Sequence, residues 1–341
     1  MPRQARIDAP GALHHIIIRG IERKALFRDQ ADRDRFVERL GTVVTDTATT
    51  CYAWALMTNH VHLLLMTGHE PIATVMRRLL TGYAQEFNRR YNRHGQLFQN
   101  RYKSILCEKD SYMLELVRYI HLNPVRARII GNVDELKTYR YTGHAVLMGT
   151  VKHAWQDLDS VLRLFHKTAG HARRKYHDYV SEAVQQGRRP ELVGGGLLRS
   201  IGGWKKLQDY RKQGLRIKGD ERILGSSDFV AAVLKQAAEA LETRTKLEVC
   251  GHDLKSLLSA VGVYYKTEPD DLRSGSRQRS IAKARSVVCY IAVRQLGMSC
   301  QDVARDLKIS PSAVSNAVVR GKAVAGKSGI AEKIVKKLLS K

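Results

Sequence analysis

Two histidines one residue apart, His60 and His62, stand in the run Asn59-His-Val-His-Leu-Leu-Leu65. An apolar run of this length reads as a strand, and strand residues two apart face the same way. Both imidazoles therefore leave one face, while Val61 and Leu63 leave the other. Two imidazoles on one rigid strand form half of a metal site. Taken alone, the pair equally fits a polar strand face. A second group lies in Tyr119-Ile-His-Leu-Asn123. Tyr119 and Asn123 are four apart and share one helical face. A metal ion draws charge from a phosphodiester and orients it, and a tyrosine beside it becomes a nucleophile able to attack in line. The Asn123 amide oxygen would add a ligand without adding charge. Without the histidines, Tyr119 reads as a residue of an amphipathic helix, its ring in the core and its hydroxyl at the edge.

The elements that must hold these groups alternate between strand and helix. Leu13 to Arg19 is a β-branched run between Gly11 and Gly20, hence a strand. Asp29 to about Val44 has Phe36, Val37, Leu40, Val43 and Val44 at helical spacing. Cys51–Met57 and His60–Met66 are two strands joined by Thr58-Asn59, a tight hairpin. Pro71 to Tyr91 is a long amphipathic helix with proline at its start. Tyr102–Glu108 is a strand, and Asp110–Asn123 a helix expected to stop before Pro124. The order β-α-β-β-α-β-α predicts an α+β fold: a mostly antiparallel sheet with helices on one face, related to the ferredoxin-like motif. Beyond Tyr141 the strand signal fades. Residues 150–190 read as helical and basic, 193–203 as a glycine-rich joint, and everything after Ser227 as helix.

Charge narrows the partners. The 341 residues hold 58 Lys and Arg against 33 Asp and Glu, a formal net charge of +25. A chain so basic repels itself unless a polyanion screens it, and nucleic acid is the first candidate, an acidic membrane surface the second. The first residues, Met1 to His15, lack the apolar core of a signal peptide, and no charge-free apolar run is long enough to span a bilayer. The 5 cysteines are scattered, without CxxC spacing, and read as reduced thiols of a cytoplasmic protein. Arg89-Arg90-Tyr91-Asn92-Arg93 could grip a strand, guanidinium groups on phosphates and Tyr91 on a base. It equally fits a solvated helix C-terminus, where cations are favoured by the macrodipole.

Four blocks of the chain resemble a known family. Met57-Thr-Asn-His-Val-His-Leu-Leu-Leu65 is similar to the HUH strand of the single-tyrosine transposases. Tyr119-Ile-His-Leu-Asn-Pro-Val-Arg-Ala127 resembles the catalytic helix of one branch, the REP-associated tyrosine transposases. Pro10 to Gly20 followed by Leu26-Phe-Arg-Asp29, and Gly95-Gln-Leu-Phe-Gln-Asn-Arg-Tyr-Lys103, resemble the same branch. Together they span roughly residues 5 to 145. The resemblance implies the HUH nuclease fold, a divalent metal (Mg2+ or Mn2+) on His60, His62 and Asn123, and Tyr119 as nucleophile. It implies a 5′-phosphotyrosine link and a released 3′-hydroxyl, with the broken bond's energy kept for rejoining. Arg101 and Lys103 join the candidates for DNA contact. Ile21 departs from the pattern, since the family often has Asn there, which puts a loop contact in doubt. Related transposases differ in being monomers or dimers, so the oligomeric state stays open.

The C-terminal region carries a second signal. Leu296-Gly297 reads as a helix C-cap, Ser299–Leu307 as a short helix, and Ser310-Pro311 as the cap and first turn of another. This is helix-turn-helix spacing, and its second helix would expose Ser312, Ser315, Asn316 and Arg320 to base edges. The segment resembles the duplex-binding domain of the replication initiator DnaA; a helical hairpin used only for packing is the alternative. Gly321-Lys-Ala-Val-Ala-Gly-Lys-Ser328 matches a Walker A pattern, but a P-loop needs a strand before it, and a recognition helix stands there instead.

The expected organisation is a catalytic domain over 1–145, a connecting region over 146–225 and a helical DNA-binding domain over 226–341. The expected activity is cleavage and rejoining of single-stranded hairpin DNA, with duplex DNA held by the C-terminal domain, in the cytoplasm at the nucleoid. Two other readings compete: a domesticated DNA-binding regulator without catalysis, and a rolling-circle nicking enzyme sharing the HUH strand.

Overall fold

The structure is a computed structural model that describes residues 7, 11–68, 70–186, 189–193, 220, 222–249, 253–276 and 278–339. The expected glycine-rich joint falls outside these, apart from Val193. The chain divides into two compact units, Met1–Val233 and Leu234–Lys341.

The first unit is built on β1 (Leu13–Arg19), α1 (Gln30–Asp46), β2 (Thr50–Leu56), β3 (His60–Met66), α2 (Ile72–Arg90), β4 (Lys103–Cys107) and α3 (Lys109–Arg126). Helices α4 (Val133–Leu136), α5 (Gly143–Met148), α6 (Asp159–Leu162) and α7 (Ala169–Ser181) follow, then β5 (Ile223–Leu224). The sheet order is β2-β3-β1-β4-β5. The first four strands pair antiparallel, and β5 joins β4 in parallel. The turn Thr58-Asn59 closes the β2–β3 hairpin, with Met57 N–H donating to the His60 carbonyl at 2.9 Å. Asp29 caps α1 by accepting from Asp32 N–H, and the Asp32 carboxylate reaches back to Arg28 N–H at 2.8 Å.

Two expectations are corrected. Helices cover both faces of the sheet, not one. Ile16, Ile18, Leu63 and Trp54 pack with Phe36 and Leu40 of α1 and Leu79 of α2. On the other face Leu13, Ile17 and Leu64 pack with Leu116, Val117 and Ile120 of α3 and Tyr176 of α7. The physical reason lies in the strands: β1 is buried at six of its seven positions, the near-continuous burial of a sheet covered on two sides. The second correction is Pro124, which lies inside α3 instead of ending it. A proline this near the end removes a single backbone bond, and the chain continues around it, Ala127 N–H donating to the Asn123 carbonyl at 2.9 Å. Ile120, Leu122 and Pro124 are buried, so packing outweighs the local pre-proline preference. The two-residue strand β5 was not expected at all.

Helix α8 (Ser227–Val249) begins in the first unit and ends in the second, which continues with α9 (Leu254–Tyr265), α10 (Pro269–Arg273), α11 (Arg279–Arg294), α12 (Cys300–Asp306), α13 (Pro311–Ser328) and α14 (Ile330–Leu339). Leu257, Val261, Val287, Ile291, Val303, Leu307 and Val314 form its core. Gly321 allows α13 to lie against α11, because a Cβ there would collide with the Ser286 carbonyl oxygen. The Walker-like segment is the C-terminal part of α13, helical throughout, with no loop to cradle phosphate.

Candidate active site

The candidate site residues gather on the face of the sheet beneath α3. In the β1–β3 register Ile17 pairs with His62 and Arg19 with His60, while Lys103 of β4 pairs with Ile17. His15, Ile17, Arg19, His60, His62 and Lys103 therefore point to one side. The His60 and His62 ring centroids are 5.1 Å apart. Tyr119 comes down from α3, its ring 6.0 Å from His62 and 6.1 Å from His15. The Arg126 guanidinium lies over the Tyr119 ring, 5.3 Å from its centroid. Tyr119 is half-buried; Asn123, one turn on, is buried with its Nδ2 unpaired among the described residues. The structure thus brings His60, His62 and Tyr119 together and places Asn123 one turn along the helix that carries Tyr119.

Hydrogen bonds assign the tautomers. The Asn59 amide is oriented by its Nδ2, which donates to the Arg23 carbonyl at 3.1 Å. Its Oδ1 therefore faces His60, and His60 Nδ1–H donates to it at 2.8 Å. This leaves a lone pair on His60 Nε2. His62 Nδ1 meets Nε2 of His15 at 3.0 Å, and His15 Nδ1 meets the Leu192 carbonyl at 2.9 Å. Burial, with the Arg19 charge nearby, pushes His60 down to about 4. Burial drives His62 well below its ordinary value, and the His15, His60 and Arg19 charges add to this. Neutral imidazoles are what a divalent cation needs.

Among the described residues no group of three or more His, Cys, Asp and Glu side chains is arranged to hold a metal. A cation here would rest on the two imidazoles, with the Asn123 amide, substrate phosphate oxygens and water as the remaining donors. The residues present fit such an ion.

The expected DNA contacts separate into two kinds. Arg90 is committed to Asp29 at 2.6 Å and Asp32 at 2.5 Å, and holds the Asp29 carboxyl down at about 2. The Tyr91 hydroxyl donates to Asp32 at 2.9 Å, and the Arg28 guanidinium covers its ring at 4.2 Å. These two brace α2 against the start of α1. Arg89 is exposed and Arg93 half-buried. Arg101 and Lys103 line a cleft of about 260 Å³ with Arg19, Ile17, Gln99, Asn100 and Val193. In the second unit Ser312, Asn316 and Arg320 are exposed on α13 and Ser315 partly so. Sequence reasoning missed Arg19 and His15. The period-two spacing of His15, Ile17 and Arg19 puts them on one face, but only the pairing with β3 shows which face.

Residues 10–123 match the family described as transposase IS200 like, and residues 254–320 match bacterial dnaA protein helix-turn-helix. No curated protein matches the chain. A solved structure of a REP-associated tyrosine transposase bound to a REP hairpin overlies 46% of this chain and 98% of its own, at 13% identity and a TM-score of 0.38. No helix among the described residues is long and apolar enough to cross a membrane. The chain carries an IS200-like transposase domain in its first unit and a DnaA-type helix-turn-helix domain in its second.

Proposed function

We propose that the first unit is a metal-dependent endonuclease and strand transferase for single-stranded, hairpin-forming DNA of the REP type, with Tyr119 as nucleophile. The observation that carries this is the Tyr119 ring lying beside His62, centroids 6.0 Å apart, with His60 on the same strand face bonded to Asn59 through Nδ1 and so left with a lone pair on Nε2. His60, His62 and Asn123 would hold a divalent cation, whose chemistry is to offset the charge of the scissile phosphate and fix its orientation. The Tyr119 oxygen attacks phosphorus, an O–P bond forms, and the bond to the 3′ oxygen breaks to leave a 3′-hydroxyl. The energy of the broken bond stays in the phosphotyrosine, so the same residue serves rejoining. Arg19, Arg101 and Lys103 supply positive charge beside the histidines, suited to the backbone of the incoming strand. Through Ser312, Ser315, Asn316 and Arg320, α13 would hold adjacent duplex in the major groove. The setting is the bacterial cytoplasm, on the chromosome.

The test is a covalent-adduct assay on labelled single-stranded oligonucleotides carrying the palindromes that flank the gene. Label retained by the protein in a denaturing gel, dependent on Mn2+ or Mg2+ and lost in Tyr119→Phe, is the expected result. Adduct unchanged in Tyr119→Phe would remove the nucleophile assignment. Tight binding without adduct would favour a protein that grips DNA without cutting it.

A further inference from the structure

The site contains a histidine that the reaction does not touch. His15 is fully buried, yet both of its ring nitrogens are engaged. Its Nδ1 faces the Leu192 carbonyl oxygen at 2.9 Å. A carbonyl only accepts, so the proton is on His15 Nδ1. A buried neutral imidazole has one proton, and His15 Nε2 therefore carries a lone pair. That lone pair faces His62 Nδ1 at 3.0 Å, so His62 Nδ1 must be the donor. The only nitrogen of His62 left for a metal, Nε2, is then bare. Turning the His15 ring over would put carbon atoms where both hydrogen bonds are made, which fixes its orientation.

We propose that His15, itself oriented by the Leu192 carbonyl, is a positioning residue that locks His62 in the Nδ1–H tautomer and so keeps its Nε2 lone pair free for the metal. The proposal rests on His62 being a ligand. It also assigns a task to a segment outside residues 10–123. Leu192 lies in a short turn, Pro190–Val193, that is 177 residues beyond His15. Arg189, just before that turn, pairs with Glu115 of α3 at 2.5 Å. The connecting region, tied to the helix that carries Tyr119 through Arg189 and Glu115, thus completes the hydrogen-bond chain behind the histidine pair. An imidazole without this chain protonates at either nitrogen, and the Nε2–H form cannot bind a cation until the proton moves.

The test uses the full chain labelled with ¹⁵N-histidine and free of metal. Long-range ¹H–¹⁵N spectra report the tautomer of His62, assigned by its loss in His62→Ala. Calorimetry with Mn2+ reports affinity. The wild type should show His62 protonated at Nδ1. His15→Phe keeps a ring but removes the acceptor, and should release His62 to the Nε2–H form and weaken Mn2+ binding about 10–100-fold, the usual cost of losing an outer-shell partner. His15→Gln places an amide oxygen near the lost lone pair and should restore most of the affinity. His62 found as Nε2–H in the wild type overturns the proposal, whether or not His15→Phe folds. Equal Mn2+ affinity in wild type and His15→Phe also overturns it, and leaves the metal reading intact. A wild type that binds no Mn2+ while His15→Phe shifts the His62 tautomer would remove the metal reading and keep the relay.

Discussion

Among the described residues, the first unit holds two groups of histidines, each beside a tyrosine, and the two differ in how their nitrogens are engaged. His15, His60 and His62 lie on two neighbouring strands next to Tyr119. His121, His144 and His177 lie on three helices, α3, α5 and α7, next to Tyr176. In the second group the His121–His144 and His144–His177 centroids are 5.9 and 6.4 Å apart. Burial lowers the proton affinity of both groups. The difference is in the nitrogens and the access. On the strands the Nδ1 of His15, His60 and His62 is each hydrogen-bonded, and these bonds do not use the Nε2 of His60 or of His62. Between the helices His121 shares a 2.6 Å bond with the Tyr176 hydroxyl, and neither nitrogen of His144 has a partner among the described residues. Tyr176 is wholly buried, whereas Tyr119 is half-exposed and can meet a substrate. Residue types do not make a site; the direction of the lone pairs and a route for the substrate do.

The sharpest test of this contrast exchanges the tyrosines. Tyr119→Phe should lower adduct formation by at least about 10⁴-fold, as removal of a nucleophile does. Tyr176→Phe should leave the rate within about twofold, measured in the same gel assay. The reverse result would break the comparison.

Acid should then expose the helical cluster. His144 is held at about 3 by burial, with the charges of His177 and Lys137 adding to the shift. His121 and Tyr176 pack on it from α3 and α7. Its unfolded value is about 6.5, so below that pH the unfolded chain binds the extra proton and stability falls. The loss begins near pH 6.5, reaches about 3 kcal/mol at pH 4 and is complete below about 3. Denaturant melts of His144→Leu should show a flatter profile over this range. An identical profile would mean that His144 does not carry the acid response.

Metal preference comes next. Two imidazoles suit Mn2+ better than the strongly oxygen-seeking Mg2+. Calorimetry should show Mn2+ bound about tenfold more tightly than Mg2+, with His62→Ala abolishing the difference and His144→Leu preserving it.

The smallest effect separates committed from open cations. Arg89→Ala should weaken single-strand binding a few-fold and lower the salt slope by about one. Arg90→Ala should lower the melting temperature and leave that slope unchanged, because Arg90 is spent on Asp29 and Asp32.

Much of the frame was legible. Strands β1 and β3 begin and end where their apolar runs do, and the α1 residues Phe36, Val37, Leu40, Val43 and Val44 are all buried. Ser299 and Ser310 cap the two helices of the helix-turn-helix segment as their types suggest. Two features were hidden in length and context. Strand β5 has two residues and no pattern of its own. Pro124 follows a local rule that α3 overrides through packing. The commitments of Arg90 and Tyr91 were hidden by distance, since their carboxylate partners lie about 60 residues away in the chain.

The sequence by itself determined that His60 and His62 share a face, that Tyr119 and Asn123 share another, and that the chain is strongly basic. These follow from the period of two in a strand, the period near 3.6 in a helix, and a count of charges; all are local or additive. Only the tertiary structure decided that the two faces meet. The β1–β3 register sets His15 diagonal to His62, α3 lies across that face, and a carbonyl from residue 192 reaches the buried ring. Register, helix docking and tautomer depend on which side chains pack across the sheet, and no spacing along the chain encodes that.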